Sequence, residues 1–134
     1  MSLYDHFSMD KDAESSGVVI DYGSSGQVRI ARAGGSNVRY NKRIQAFSKK
    51  YRRQIELEIL EDATAEKELI SIYVDTIVLG WEGVKDRAGI DIPFSPNAAA
   101  QLFRDLPEFF ADIRDQSTKL AIFREMERDT DSGN

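Results

Sequence analysis

The chain has 134 residues, of which 41% are hydrophobic, with no cysteine, one histidine and a net charge of −5. That length fits one compact domain. It excludes a disulfide scaffold, thiolate catalysis and Cys- or His-rich zinc sites, and a pI near 4.9 is not that of a typical nucleic-acid binder.

Residues 1–16 are polar with scattered Leu3, Tyr4, Phe7 and Met9, and read as a flexible N-terminal arm with at most a short helical turn. They lack a basic region followed by an apolar run, so a secretory signal is not expected, and no apolar stretch reaches the roughly 18 residues that cross a bilayer. No membrane partner is expected. Val18-Val19-Ile20-Asp21-Tyr22 and Gln27-Val28-Arg29-Ile30-Ala31 flank the turn cluster Gly23-Ser24-Ser25-Gly26, which predicts a β-hairpin within 17–33. A lone hairpin is marginal in water, so Val18, Ile20, Tyr22, Val28 and Ile30 are candidate edge residues for pairing with a partner's strand.

Ala33-Gly34-Gly35 redirects the chain, and Ser36 or Asn37 can cap the next helix. Tyr40, Ile44, Phe47, Tyr51 and Ile55 recur every three or four residues and predict a helix over about 38–60. After the turn Glu61–Thr64, with Asp62 or Thr64 as cap, the run Leu69, Ile70, Ile72, Tyr73, Val74, Ile77, Val78 and Leu79 predicts the most buried helix, stopped by Gly80, with Trp81 packed near the stop. Residues 82–94 read as a loop with a small hairpin. Ser95-Pro96 is a cap followed by a proline at the first helical position, opening a short helix that Pro107 interrupts. Asp105 and Glu108 resemble a capping box for a last helix carrying Phe109, Phe110, Ile113, Leu120, Phe123 and Met126. Residues 128–134 read as a disordered tail. The expected fold is α+β: mainly α, an N-terminal β-hairpin and a small bundle of about four helices, in one domain over 17–127 (hairpin 17–33, helical part 38–127).

The modest net charge conceals segregation. Residues 1–28 carry −4, residues 29–53 carry +9 with no acid, and residues 54–134 carry −10. Such blocks suggest docking of unlike surfaces, within the chain or in self-association; the plainer reading is a solvated face neutralised by its neighbours. Nothing suggests catalysis. The glycine clusters lack the Lys-Ser/Thr of a phosphate loop, and the oxygen spacing at Asp86–Asp91 is wrong for calcium. His6 stands without a triad, and Glu56 and Glu58 diverge on a helix. No enzyme activity, cofactor or metal is expected. Residues 29–53 with interleaved tyrosines could bind nucleic acid, but the neighbouring −10 segment disfavours it.

Several segments in order are similar to the tail assembly chaperone family of siphovirus-type bacteriophages and prophages. They include Gly17–Gly23, Val28–Asn37, Tyr40–Arg43, Tyr51-Arg52-Arg53, Gly80–Val84, Pro93-Phe94-Ser95, Asp105–Phe110, Leu120–Glu125 and Gly133-Asn134. The likeness covers about residues 10–134. One departure is Lys50: a proline is common in the family before the Tyr-Arg-Arg segment, and lysine here permits one continuous helix. The resemblance implies a non-enzymatic protein of the infected host's bacterial cytoplasm, absent from the finished virion. It would bind the tape measure protein, keep it soluble and help recruit tail tube protein. Many members also have a longer form made by frameshifting near the stop codon, for which Arg128–Asn134 would be the junction. On this reading Arg39, Lys42, Arg43, Tyr51, Arg52, Arg53 and Trp81 are candidate partner-binding residues. Two other readings are a virion tail-completion or connector protein and a nucleic-acid-binding regulator using residues 29–53.

Overall fold

Four short polar side chains set where helices begin. In the computed structural model, which describes residues 2–124, Ser2, Asp10, Asn37 and Ser95 each accept the backbone N–H three residues on. They open α1 (Leu3–Phe7), α2 (Lys11–Ser16), α3 (Val38–Lys50) and α6 (Pro96–Asp105). Asn37, of the two candidates, is thus the cap of α3, and Ser95-Pro96 acts as the sequence predicts. The helices α5 (Asp62–Thr76) and α7 (Pro107–Thr118) start without a side-chain cap, at Glu61 and Leu106. The capping box expected of Asp105 and Glu108 does not form, because Asp105 instead accepts from the Gln101 amide at 2.8 Å.

The predicted hairpin is present as β1 (Val18–Asp21) and β2 (Gln27–Ile30). A third strand, β3 (Val78–Glu82), pairs antiparallel with the other side of β2, giving the order β1-β2-β3. This corrects two expectations. The helix read through Leu79 ends at Thr76, and Gly80 lies inside a strand rather than stopping a helix. The Ile77 carbonyl accepts from Ala31 N–H at 2.8 Å, so the β-branched run Ile77-Val78 leaves the helix to satisfy β2. Because β2 is then paired on both sides, Val28 and Ile30 are core residues of a central strand and not edge residues. Val18 and Ile20 belong to β1, which pairs with β2 alone and is one of the two edges of the sheet, β3 being the other.

The inner face of the sheet packs on α5, α6 and α7. Val28, Ile30, Ile70, Tyr73, Ile77, Ala99, Phe103, Phe110, Ile113 and Phe123 form the core. Phe103 lies 4.7 Å from Phe110 and 5.4 Å from Phe109, ring centre to ring centre, and Tyr73 meets Phe110 edge-on. Each such buried aromatic stabilises by about 2–3 kcal/mol through area alone. Among the described residues the architecture is α+β, seven helices around a three-stranded antiparallel sheet.

Two further departures matter. The N-terminal segment is not a loose arm throughout: α2 buries Ala13 and Glu14, and Asp10 N–H donates to the Phe123 carbonyl at 3.0 Å. The Glu14 carboxylate, 2% exposed, accepts from the Arg32 guanidinium at 3.1 Å and from Ser36 N–H at 2.9 Å. Within this segment α1 has no buried residue. The helix expected over 38–60 bends at Tyr51 (φ −109°, ψ 15°) into α4 (Arg52–Glu56), although Lys50 is no proline. Tyr51 is drawn towards α5 by its hydroxyl, which donates to Glu68 at 3.2 Å. The last helix ends at Thr118, where the Ser117 and Thr118 hydroxyls bond to carbonyls three residues back, and a 3₁₀ turn over Leu120–Phe123 follows. Met126, the boundary at 127 and the tail 128–134 lie outside the described residues. No helix among them is long and apolar enough to cross a membrane.

Candidate partner-binding surface

At 100° per residue, α3 separates its side chains into two faces. The inner face rests on α5. Tyr40 meets Tyr73 edge-on at 5.8 Å, Arg43 pairs with Asp75 and donates to the Ser71 hydroxyl at 3.2 Å, and Phe47 packs against Tyr51 at 5.3 Å. Lys50 sits 3.8 Å from Glu68 and 5.1 Å from the Tyr51 ring; its bond to Tyr51 and the charge of Glu68 hold its pKa above the ordinary lysine value. Burial, then bonding to Tyr40, raises the Tyr73 pKa above the usual tyrosine range.

The outer face carries Val38, Lys42, Gln45 and Lys49, spaced four, three and four, all exposed. Lys42 and Lys49 are two turns and about 10 Å apart along the axis. Arg39 stands on the flank of this row, and Arg52 and Arg53 extend it along α4. Among the described residues, Arg39, Lys42, Lys49, Arg52 and Arg53 form no ion pair, whereas Arg32, Arg43 and Lys50 of the same basic block do. Arg29 points elsewhere, donating to the Gly17 carbonyl at 3.3 Å.

Beyond α4 the chain reverses. Glu58 adopts φ 56°, the single non-glycine residue in the left-handed region among those described, and Ile59 N–H reaches back to the Gln54 carbonyl at 2.9 Å. That closure is the helix-ending geometry usually given to glycine. It leaves Ile55 44%, Leu57 56% and Ile59 63% exposed, with Val38 58% exposed at the opposite end of the row. Glu56 and Glu58 interleave with this aliphatic tip, so the tip is mixed in charge while the α3 row is wholly cationic. Nearby, Glu66 and Leu69 of α5 and Pro107, Phe110 and Arg114 of α7 line a cleft of about 330 Å³. The Arg114 guanidinium lies 4.5 Å over the Phe110 ring.

The structure therefore gathers Arg39, Lys42, Arg52 and Arg53 on one limb and turns Arg43 and Tyr51 inward to fasten that limb to α5. Trp81 is not part of it. It lies on β3, opposite Val28, with its ring 5.0 Å from Phe94 and its indole N–H donating to the Ile92 carbonyl at 2.8 Å. Tyr22, just past β1, donates to Asp112 at 2.5 Å and packs edge-on against Phe109; burial, then the Asp112 bond, raises its pKa beyond the usual tyrosine range. Sequence reasoning missed Leu57 and Ile59. Their signal is present, aliphatic residues alternating with Glu56 and Glu58 where the helical stripe ends, but it reads as the tail of a helix. It also missed the outer face of the sheet, where Val19, Gln27, Arg29, Leu79, Gly80 and Glu82 surround a depression of about 310 Å³, because β3 is not legible as a strand.

Among the described residues no cluster of three or more His, Cys, Asp or Glu is placed to hold a metal. No curated protein and no solved structure matches the chain. Residues 35–134, from the turn before α3 to the last residue of the sequence, match the family model described as YdaY prophage protein. That span is well over half of the sequence and includes the whole cationic limb, and the chain accordingly belongs to the YdaY prophage protein family.

Proposed function

We propose that this prophage-family protein is a tail assembly chaperone, a non-enzymatic protein that binds the tape measure protein and helps recruit tail tube subunits in the host bacterial cytoplasm. The observation that carries the reading is the α3–α4 limb, whose outward cations Arg39, Lys42, Lys49, Arg52 and Arg53 form no ion pair among the described residues and whose aliphatic tip is exposed. A tape measure is a very long helical protein with apolar faces, and repeated, reversible coverage of such faces calls for a helical surface that holds exposed aliphatic groups ready. The order of segments shared with tail assembly chaperones supports the same reading, as does membership of a prophage family.

Co-expression tests it. The chain is produced with the very long helical reading-frame product of the same prophage. The long protein is expected to stay in the soluble fraction and to co-purify. Its precipitation in the presence of the chain would overturn the proposal, and recovery of the chain in purified particles at fixed stoichiometry would favour a virion tail-completion or connector protein instead. The unpaired cations give the nucleic-acid-binding regulator one specific observation in its favour. A salt-sensitive duplex-binding assay separates it, since chaperone action requires no affinity for phosphates.

A further inference from the structure

We infer that the outward face of α3–α4 is a docking site for an acidic amphipathic α-helix of the partner protein, an inference that rests on the chaperone reading. Charge sets the sign. Arg39, Lys42, Lys49, Arg52 and Arg53 lie on one limb without an ion pair among the described residues, and the sequence holds no acid from 29 to 55. Neighbours in the row, such as Lys42 and Lys49 about 10 Å apart along the axis, lie near the screening length of about 8 Å at physiological salt, so they repel one another weakly and gain from a carboxylate-bearing partner. Spacing sets the shape. The row Val38, Lys42, Gln45, Lys49 is straight over a helix about 20 Å long. A partner helix with acids seven residues apart presents them at the same interval as Lys42 and Lys49.

Apolar exposure separates a helix from a nucleic acid. Val38 stands at one end of the cationic row and Ile55, Leu57 and Ile59 at the other, all exposed. A phosphate backbone would satisfy the cations and leave these four side chains in water. An amphipathic helix places acids over the row and covers the aliphatic ends with the flanks of its apolar stripe. Glu58, held in the left-handed region, turns the chain so that Leu57 and Ile59 project instead of folding back.

Binding of the full chain to two fluorescent synthetic peptides tests this. Both carry the same leucine stripe, one with a glutamate polar face and one with a lysine face; a single-stranded oligonucleotide is the third probe. The glutamate peptide is expected to bind at least about tenfold more tightly than the lysine peptide and to weaken about tenfold between low and high salt. The variant Lys42→Glu/Lys49→Glu, at exposed positions, should lose the glutamate peptide and gain the lysine peptide. Leu57→Ser/Ile59→Ser should weaken the glutamate peptide with its salt dependence retained. Equal affinity for the two peptides, no binding to either, tighter binding of the oligonucleotide, or an unaffected Lys42→Glu/Lys49→Glu variant would overturn the inference. So would a wild-type dimer in sedimentation that this variant dissolves, because a second copy would then be the occupant. If the wild type and this variant hold the tape measure soluble equally well, the docking site fails and the chaperone reading stands. If neither holds it while the glutamate peptide binds as described, the chaperone reading fails and the docking site stands.

Discussion

Replacing Glu14 by alanine removes a single carboxylate that joins three parts of the chain. Its oxygen Oε2 accepts from Arg32 Nη1 at 3.1 Å and from Ser36 N–H at 2.9 Å, while its backbone carbonyl accepts from Arg32 N–H at 2.9 Å. The glutamate is buried and Arg32 keeps a minor fraction of its side chain in water. Breaking a buried ion pair from one side costs about 3–5 kcal/mol. The guanidinium can recover part of its hydration, which favours the lower end of that range. The orphaned Ser36 N–H accounts for about 1–3 kcal/mol of the total. Glu14→Ala is therefore expected to destabilise by about 3 kcal/mol, and at a urea slope of about 1.5 kcal/mol/M the unfolding midpoint falls by about 2 M. Glu14→Gln keeps an acceptor in place and should cost about half as much. Adding Arg32→Ala to Glu14→Ala should change the midpoint by less than Arg32→Ala does alone, since the two substitutions remove one contact. Native-state amide exchange at Ser36 should accelerate with Glu14→Ala. A loss below about 1 kcal/mol, or strictly additive effects, would refute the clamp and make α2 peripheral to the fold.

Gly35 has φ 54° and a Cβ built there would collide with the Glu14 carboxylate, so Gly35→Ala should destabilise at least as much as Glu14→Ala in the same urea assay. Phe103→Ala removes a ring buried among Phe109 and Phe110 and should cost about 3–5 kcal/mol, seen as a lowered melting temperature. Tyr22 and Tyr73 have pKa values raised in the fold, by burial first and by bonding to Asp112 and Tyr40 second. The stability they confer is complete below about pH 10, the unfolded value, and declines as pH rises from there towards the folded values. Urea midpoints of the wild type should fall above that pH, and those of Tyr22→Phe should fall less steeply. Glu58→Gly relieves a left-handed glutamate and should stabilise by about 0.5–1 kcal/mol, an increase in midpoint that a relaxed φ at Glu58 would not give.

Local chemistry made part of this fold legible. The hairpin is written in two β-branched runs around Gly23-Ser24-Ser25-Gly26, and Asn37 and Ser95-Pro96 announce the starts of α3 and α6 by their side-chain acceptors. What escaped is decided by distant partners. Ile77-Val78-Leu79 satisfies a helical stripe and a strand equally, and the choice is made by β2, whose second side needs a ladder. Nothing near Tyr51 forbids a helix, and the bend follows from Glu68 on α5. Glu14 reads as a surface acid until Arg32 and Ser36 close over it. The cationic row was legible as composition, and its outward direction follows from the spacing of four, three and four. The exposure of Leu57 and Ile59 was not, because it depends on the reversal at Glu58.

The charge segregation resolves into two roles once helical period is applied to it. Positions that face α2 or α5 spend their charge inside the fold, as Arg32 does with Glu14, Arg43 with Asp75 and Lys50 with Glu68. These are the sites where the +9 block meets acids of the other two. Positions about a third of a turn from Arg43 on α3, Lys42 and Lys49 above all, face water, and surface substitutions of that kind change stability by about 0.5 kcal/mol or less. The two sets should therefore respond differently to charge reversal: Arg32, paired with the buried Glu14, in folding with partner binding following only as the fold is lost, Lys42 and Lys49 in partner binding with the unfolding midpoint unmoved. Because the net charge of −5 is the same sum whichever cations are paired, overall charge is silent on this division. It is the phase of each residue on α3 that decides whether a cation holds the molecule together or remains available to another.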